Sequence, residues 1–147
     1  FIAGHPGESK EDFEELCSFV EEFGFDRGNV FSYSDEEGTS AETRDDKIEQ
    51  ELIDERAEIL GDIISQTTIK SLENDIGKSF EVYIDGESEE HEYLLSARKT
   101  IWAPQIDGEI YINDNEGNLP IVFGEIYEVE ATELAGDKLL AKIIRKV

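Results

Sequence analysis

Apolar positions along this 147-residue chain change their period twice. The chain opens on Phe1-Ile2-Ala3, a short apolar run with the texture of a strand. After a Pro6-Gly7 corner, Phe13, Leu16, Cys17, Val20 and Phe23 recur at helical spacing and define one apolar face. Ser9 predicts the N-cap of that helix, with Asp12 as its capping-box partner, and Gly24 predicts the C-terminal cap. Asn29-Val30-Phe31-Ser32-Tyr33 reads as a second strand, followed by a loop over 34–44. Strand, helix and strand at this spacing predict one βαβ crossover, the repeating unit of a parallel sheet or barrel.

From Asp45 to Glu73 the pattern is that of a long amphipathic helix, with Ile48, Leu52, Ile59, Ile63 and Thr67 along one stripe. Gly61 interrupts it at a cost of about 1 kcal/mol relative to alanine. Asn74-Asp75-Ile76-Gly77 ends it, and the texture then becomes β. Short strands are predicted at Ser79–Ile84, Tyr93–Lys99, Glu109–Ile112, Ile126–Ala131 and Leu139–Ile144. Asp85-Gly86, Asp107-Gly108, Glu116-Gly117 and Ala135-Gly136 supply turn residues. These strands predict a small, partly open barrel of the OB-like kind. The fold class is α+β, divided into residues 1–72 and 73–147, with the long helix joining the two parts.

Charge narrows the classes of partner. Asp and Glu number 37 against 13 Lys and Arg, a net charge of −24, of which −16 falls in residues 1–77 and −8 in residues 78–147. Such a chain repels nucleic acid and anionic membrane and attracts basic partners. No apolar run approaches the roughly 18–20 residues of a membrane span, and no signal-peptide pattern opens the chain, so a cytoplasmic location is expected. The single cysteine, Cys17, rules out an internal disulfide. There is no methionine, and the chain starts inside an apolar strand. Both features lead us to expect a piece of a longer protein, with unpaired strand edges near its start.

Candidate chemistry is sparse. Gly4-His5-Pro6-Gly7-Glu8-Ser9-Lys10 has the look of a phosphate loop, but its glycines are too close together and its lysine follows the serine. Glu8, Glu11, Asp12, Glu14 and Glu15 crowd the start of the following helix, where they would repel phosphate, so a structural corner is the stronger reading. Asp35-Glu36-Glu37 offers oxygen ligands for Mg²⁺ or Ca²⁺ without the alternating spacing of a calcium loop, and reads better as a solvated loop or a contact for a basic partner. His5 and His91 are the only histidines, and with Cys17 they form no zinc pattern. In Ile101–Ile112, the lone Trp102 precedes a strand with Asp107, Glu109 and Tyr111 close by. OB-like barrels stack bases on such aromatics. On so acidic a module, core packing or a protein contact is favoured over RNA, and these four residues are assigned to partner binding. The competing RNA reading uses Trp102, Tyr93 and Tyr111 beside the small basic tail of Lys138, Lys142, Arg145 and Lys146.

FIAGHPGESKEDFEEL, then FDRGNVFSYSDEEGTSA, then SARKTIWAPQIDGEIYIND together resemble the C-terminal part of the radical-SAM methylthiotransferases. The G-x-P-G-E corner is shared across that family. The YSDEEGT and APQIDGEIYI segments resemble the branch acting on small-subunit ribosomal protein S-twelve rather than the tRNA-modifying branch. The resemblance implies that residues 1–43 are the last βαβ portion of a (β/α) barrel and that a TRAM domain begins at residue 73. It implies a parent enzyme that replaces a C–H of an aspartate with a methylthio group, using S-adenosylmethionine and two [4Fe–4S] clusters. The family's C-x-x-x-C-x-x-C cluster motif has no counterpart here, so this chain is expected to be inactive and free of cofactor. Ile2 and Gly4 match positions that lie near S-adenosylmethionine in the family. An RNA-binding module of a tRNA methylthiotransferase is the alternative.

Overall fold

Ser9 starts the first helix through the capping box that its spacing to Asp12 predicts. Its hydroxyl accepts the Asp12 N–H at 3.0 Å, and the Asp12 carboxylate accepts the Ser9 N–H at 2.9 Å. A computed structural model describes residues 1–147; in it α1 spans Lys10–Phe23 and ends at Gly24, whose φ of 68° is a left-handed cap. Before α1 lies β1 (Ile2–Ala3) and after it β2 (Phe31–Ser32), paired in parallel with Ile2 opposite Phe31. The βαβ crossover is therefore present. Its second strand is shorter than predicted, although the ladder is continued by the Tyr33 N–H, which donates to the Ala3 carbonyl at 2.9 Å.

The chain divides into two compact units, Phe1–Ser71 and Leu72–Val147. In the first, Phe13 and Val20 of α1 pack against Leu60 and Ile64 of α2 (Gln50–Asp75), with Leu16 and Cys17 at the margin. Two parts of the predicted apolar face are corrected. Phe23 is 64% exposed, and its ring stacks on Phe25 at 4.3 Å between centroids instead of entering the core. On α2 the buried stripe is Ile53, Arg56, Leu60, Ile64 and Thr67, whereas Leu52 and Ile59 are exposed and Ile48 precedes the helix.

The reason for the shifted stripe is Arg56. Counting apolar residues skips it, yet it is only 6% exposed because Glu8 reaches it from the corner before α1. Its Nη1 donates to the Glu8 carboxylate at 2.6 Å and to the Glu8 carbonyl at 3.0 Å, and its guanidinium lies 5.3 Å from the centre of the Phe13 ring. The Glu8 carboxylate also accepts the Gly4 N–H, at 3.1 and 3.2 Å. Gly4 itself has φ 83°, and a Cβ there would stand 2.5 Å from the Ile53 side chain. Only glycine fits a position with both constraints.

The second unit is a closed five-stranded barrel, corrected from the partly open one predicted. Its strands are β3 (Ser79–Glu87), β4 (Leu95–Lys99), β5 (Ile110–Asn115), β6 (Ile126–Ala135) and β7 (Lys138–Lys146), in the spatial order β3-β4-β5-β7-β6. Closure follows from the length of β3. Its first half pairs with β6, from Ser79 opposite Glu130 to Tyr83 opposite Ile126, while its second half pairs with β4. The register shift between Ile84 and Gly86 bends the strand from one partner to the other. Alternate residues point inward, so Val82, Ile84, Tyr127, Val129, Leu139 and Ile143 are fully buried, with Leu72 from the last turn of α2 in the same core. The Tyr127 hydroxyl accepts the Val122 N–H at 2.9 Å and donates to the Pro120 carbonyl at 3.2 Å, which fastens the connection between β5 and β6.

Removing one member of the Glu8–Arg56 pair leaves the other buried without a countercharge. Arg56→Ala is expected to destabilise the first unit by about 3–5 kcal/mol, and the double variant Glu8→Gln/Arg56→Met by clearly less. Chemical denaturation followed by amide exchange in residues 1–71 measures both. Equal losses in the two variants would show that packing, not the pair, fixes the corner.

Candidate functional site

Across the barrel face between the end of β3, β4 and the connection into β5 lies a groove of about 690 Å³. Its rim carries Asp85, Glu87, Glu89, Glu90 and Glu109 against two cations, Arg98 and Lys138. Barrels of this topology bind ligands over the second and third strands and the adjoining loops, which here are β4, β5, the 88–94 connection and the β6–β7 turn. The period-two alternation of β3 places Asp85 and Glu87 outward once Val82 and Ile84 point inward. The connection 103–109 is held by Asp107, whose carboxylate accepts the Ala103 N–H at 2.7 Å, with Gln105 at φ 62° forming the tight bend.

Lys138, the first residue of β7, organises one end of the groove. Its ammonium donates to Glu90 at 2.8 Å, to Glu109 at 3.1 Å and to the Tyr111 hydroxyl at 2.6 Å. It also lies 4.7 Å from the centre of the Tyr111 ring. The Tyr111 hydroxyl in turn donates to the Glu90 carboxylate. The ring of His91 meets that of Tyr111 edge-on at 5.0 Å. At the other end Arg98 pairs with Asp85 at 3.1 Å, and its guanidinium lies 4.7 Å from the centre of the Tyr83 ring.

Titration in the cluster follows these contacts. The Lys138 hydrogen bond, then that from Tyr111, holds the Glu90 carboxyl below the usual carboxylate range. Burial raises the Tyr111 phenol, and the adjacent Glu90 carboxylate raises it further. For Lys138, burial favours the neutral amine, but the hydrogen bonds to Glu90, Tyr111 and Glu109 together outweigh it and the net shift is upward. The ammonium is therefore charged at every physiological pH.

The structure brings three of the four residues assigned to partner binding to this groove or its support. Glu109 lines it, Asp107 shapes the connection beside it, and Tyr111, 2% exposed, offers its hydroxyl end to Lys138 and Glu90. Trp102 is 7% exposed with its ring in the barrel core, beneath the Lys99 ammonium at 5.4 Å. Ile2 lies exposed on β1, and the N–H of the buried Gly4 is engaged by Glu8. The corner that resembles a phosphate loop thus already holds an anion of its own. Asp35 takes the ammonium of Lys47 and the Tyr33 hydroxyl, which leaves it poorly placed as a metal ligand. The basic tail is neutralised along its length, since Lys142, Arg145 and Lys146 face Glu130, Glu128 and Glu125. Sequence reading missed Glu90 and placed Lys138 in that tail. Their contact joins positions 48 residues apart, and nothing in local spacing signals it.

The barrel is closed and five-stranded, and residues 76–144 match the TRAM domain family. Over nearly its whole length the chain is also similar to proteins named "Ribosomal protein uS12 methylthiotransferase RimO". It is 76% identical to that of Aliarcobacter butzleri over 147 residues, covering 99% of this chain and 33% of the relative. The identity is 58% over 145 residues for Sulfurovum sp., with 99% and 33% covered, and 47% over 148 residues for Campylobacter jejuni strain RM1221, with 100% and 33% covered. The chain spans about a third of the length of the curated relatives it matches.

The Glu90 shift has a defined sign. Because its carboxyl is held down in the folded chain, the Glu90–Lys138 contact is complete above the ordinary glutamate pKa of 4.5 and is lost as pH falls through the lowered value. Carboxyl NMR should find Glu90 titrating below its ordinary range, and Lys138→Gln should move the midpoint upward. A midpoint that does not move in the variant would show that Lys138 is not the cause.

Proposed function

We propose that this chain is the substrate-docking part of a uS12 methylthiotransferase, with the acidic TRAM barrel holding the basic ribosomal protein. The observation that carries the reading is the pairing of every tail cation with a barrel carboxylate while the groove keeps a surplus of acids. Such a surface attracts a cationic polypeptide and repels an RNA backbone. The RNA alternative loses its stacking platform as well, because the rings of Trp102 and Tyr111 are buried and only Tyr93 is open to solvent.

In the same reading residues 1–72 are a portion of the radical-SAM barrel, and methylthio transfer to an aspartate takes place in the longer enzyme. S-adenosylmethionine and two [4Fe–4S] clusters supply the radical and sulfur chemistry there. The donor set in this chain does not fit a cluster, which needs three or four thiolates, since Cys17 is the only cysteine and sits partly buried on α1. Ile2 and Gly4 are the residues proposed to border S-adenosylmethionine in the complete barrel. The chain on its own is then a binding piece without turnover.

Titration of the chain with purified uS12 and with tRNA tests the docking role. Binding to uS12 that weakens with salt is expected, and Glu87→Lys/Glu89→Lys should reduce the affinity about tenfold or more. Tighter, salt-dependent binding to tRNA would overturn the reading.

A further inference from the structure

The groove does not present all of its carboxylates equally. Glu90 and Glu109 already grip an ammonium, that of Lys138, with Tyr111 completing its three acceptors. Glu90 lies on the connection between β3 and β4, a strap folded on itself where Ser88 Oγ accepts the N–H groups of Glu90 and His91, each at 3.3 Å. Besides the His91 ring against Tyr111, the side-chain tie from this strap to the barrel is Glu90 itself, through Lys138 and the Tyr111 hydroxyl.

The two sides of that tie differ in accessibility. The Glu90 side chain is 63% exposed, while the Lys138 side chain is only 20% exposed. An incoming cation can therefore reach the Glu90 carboxylate without first uncovering Lys138. If Glu90 leaves, the ammonium keeps Glu109 and the Tyr111 hydroxyl and is not stranded without partners. An ion pair with so exposed a carboxylate contributes little by itself, so exchanging Lys138 for a partner's cation is close to balanced. The departing strap would uncover the end of the groove formed by Glu109 and the start of β7.

We propose that Lys138 is an internal occupant of the groove's cation seat, and that residues 88–94 form a lid which a basic partner opens by drawing Glu90 away from it. This rests on the docking role proposed above and adds a regulated entrance to it. The lid makes the acidic groove selective. A single dissolved cation competes with a preorganised three-acceptor site and loses, whereas a polypeptide with several basic side chains engages Asp85, Glu87 and Glu89 at the same time and prevails.

Hydrogen exchange of the 147-residue chain with and without uS12 tests this directly. The strap 88–94 is expected to exchange faster in the complex while β4 and residues 104–109 become slower, the opposite of what a lid closing over its ligand would give. In Lys138→Gln the strap should exchange fast even without uS12, and uS12 should bind about three- to tenfold more tightly, because the competing internal state is gone. Slower strap exchange on binding, or equal or weaker uS12 affinity in the variant, would overturn the proposal. If Lys138→Gln proves unfolded, Glu90→Gln alters the strap and no barrel strand, and must also speed strap exchange. Absence of uS12 binding to both the unaltered chain and Lys138→Gln would instead sink the docking role and displacement with it. Strap exchange in the variant would still show whether Lys138 pins the lid.

Discussion

A strand edge must find partners for its backbone N–H and C=O groups, and in the barrel this requirement is met by the seam between β3 and β6. Without that seam β3 would pair on one side only, and the inward row of Val82 and Ile84 would face Tyr127 and Val129 across an open sheet. Closing it buries these side chains completely and turns the alternate residues of every strand outward. On β3 those outward positions carry Asp85 and Glu87 of the groove, while Glu89, Glu90 and Glu109 lie on the connections at either end of β4. The β3 side of the acidic groove is thus the other side of the same alternation that builds the core.

The β1–β2 pair shows the contrast. It is two-stranded, with both outer edges unpaired, and Ile2 and Phe31 are exposed upon it. What organises the first unit is electrostatic as much as apolar. Glu8 closes the corner after β1 by accepting the Gly4 N–H and fastens it to α2 through Arg56. A buried ion pair of this kind adds little net stability over an apolar substitute, but it admits one arrangement of corner and helix and penalises any other. On the barrel, cation and carboxylate also face one another across β6 and β7, whereas the groove keeps five acids against two cations.

Much of the fold was legible because its signals are local. The Ser9–Asp12 box, the Gly24 cap and the five strand segments each depend on residues a few positions apart, and all of them stand in the structure. The misreadings share one cause, which is a contact that the period of the pattern does not encode. The α2 stripe was set off its true line because Arg56 counts as polar until Glu8 is seen beside it. Phe23 was placed in a core that its neighbour Phe25 draws it away from. β3, β5, β6 and β7 run longer than predicted because an apolar run cannot reveal how far a ladder continues along its partner.

By itself, the order of residues determined the α+β class, the crossover, the number of barrel strands, the acidity, and the family likeness carried by the corner and the APQIDGEIYI segment. Tertiary structure alone decided that the barrel closes, that Glu8 fills the corner that resembles a phosphate cradle, and that Lys138 sits between Glu90, Glu109 and Tyr111 instead of in a free basic tail. The division has a physical basis. Periodicity and capping are set by contacts within a few residues, whereas the charge state of a surface depends on which side chains the completed ladder brings face to face.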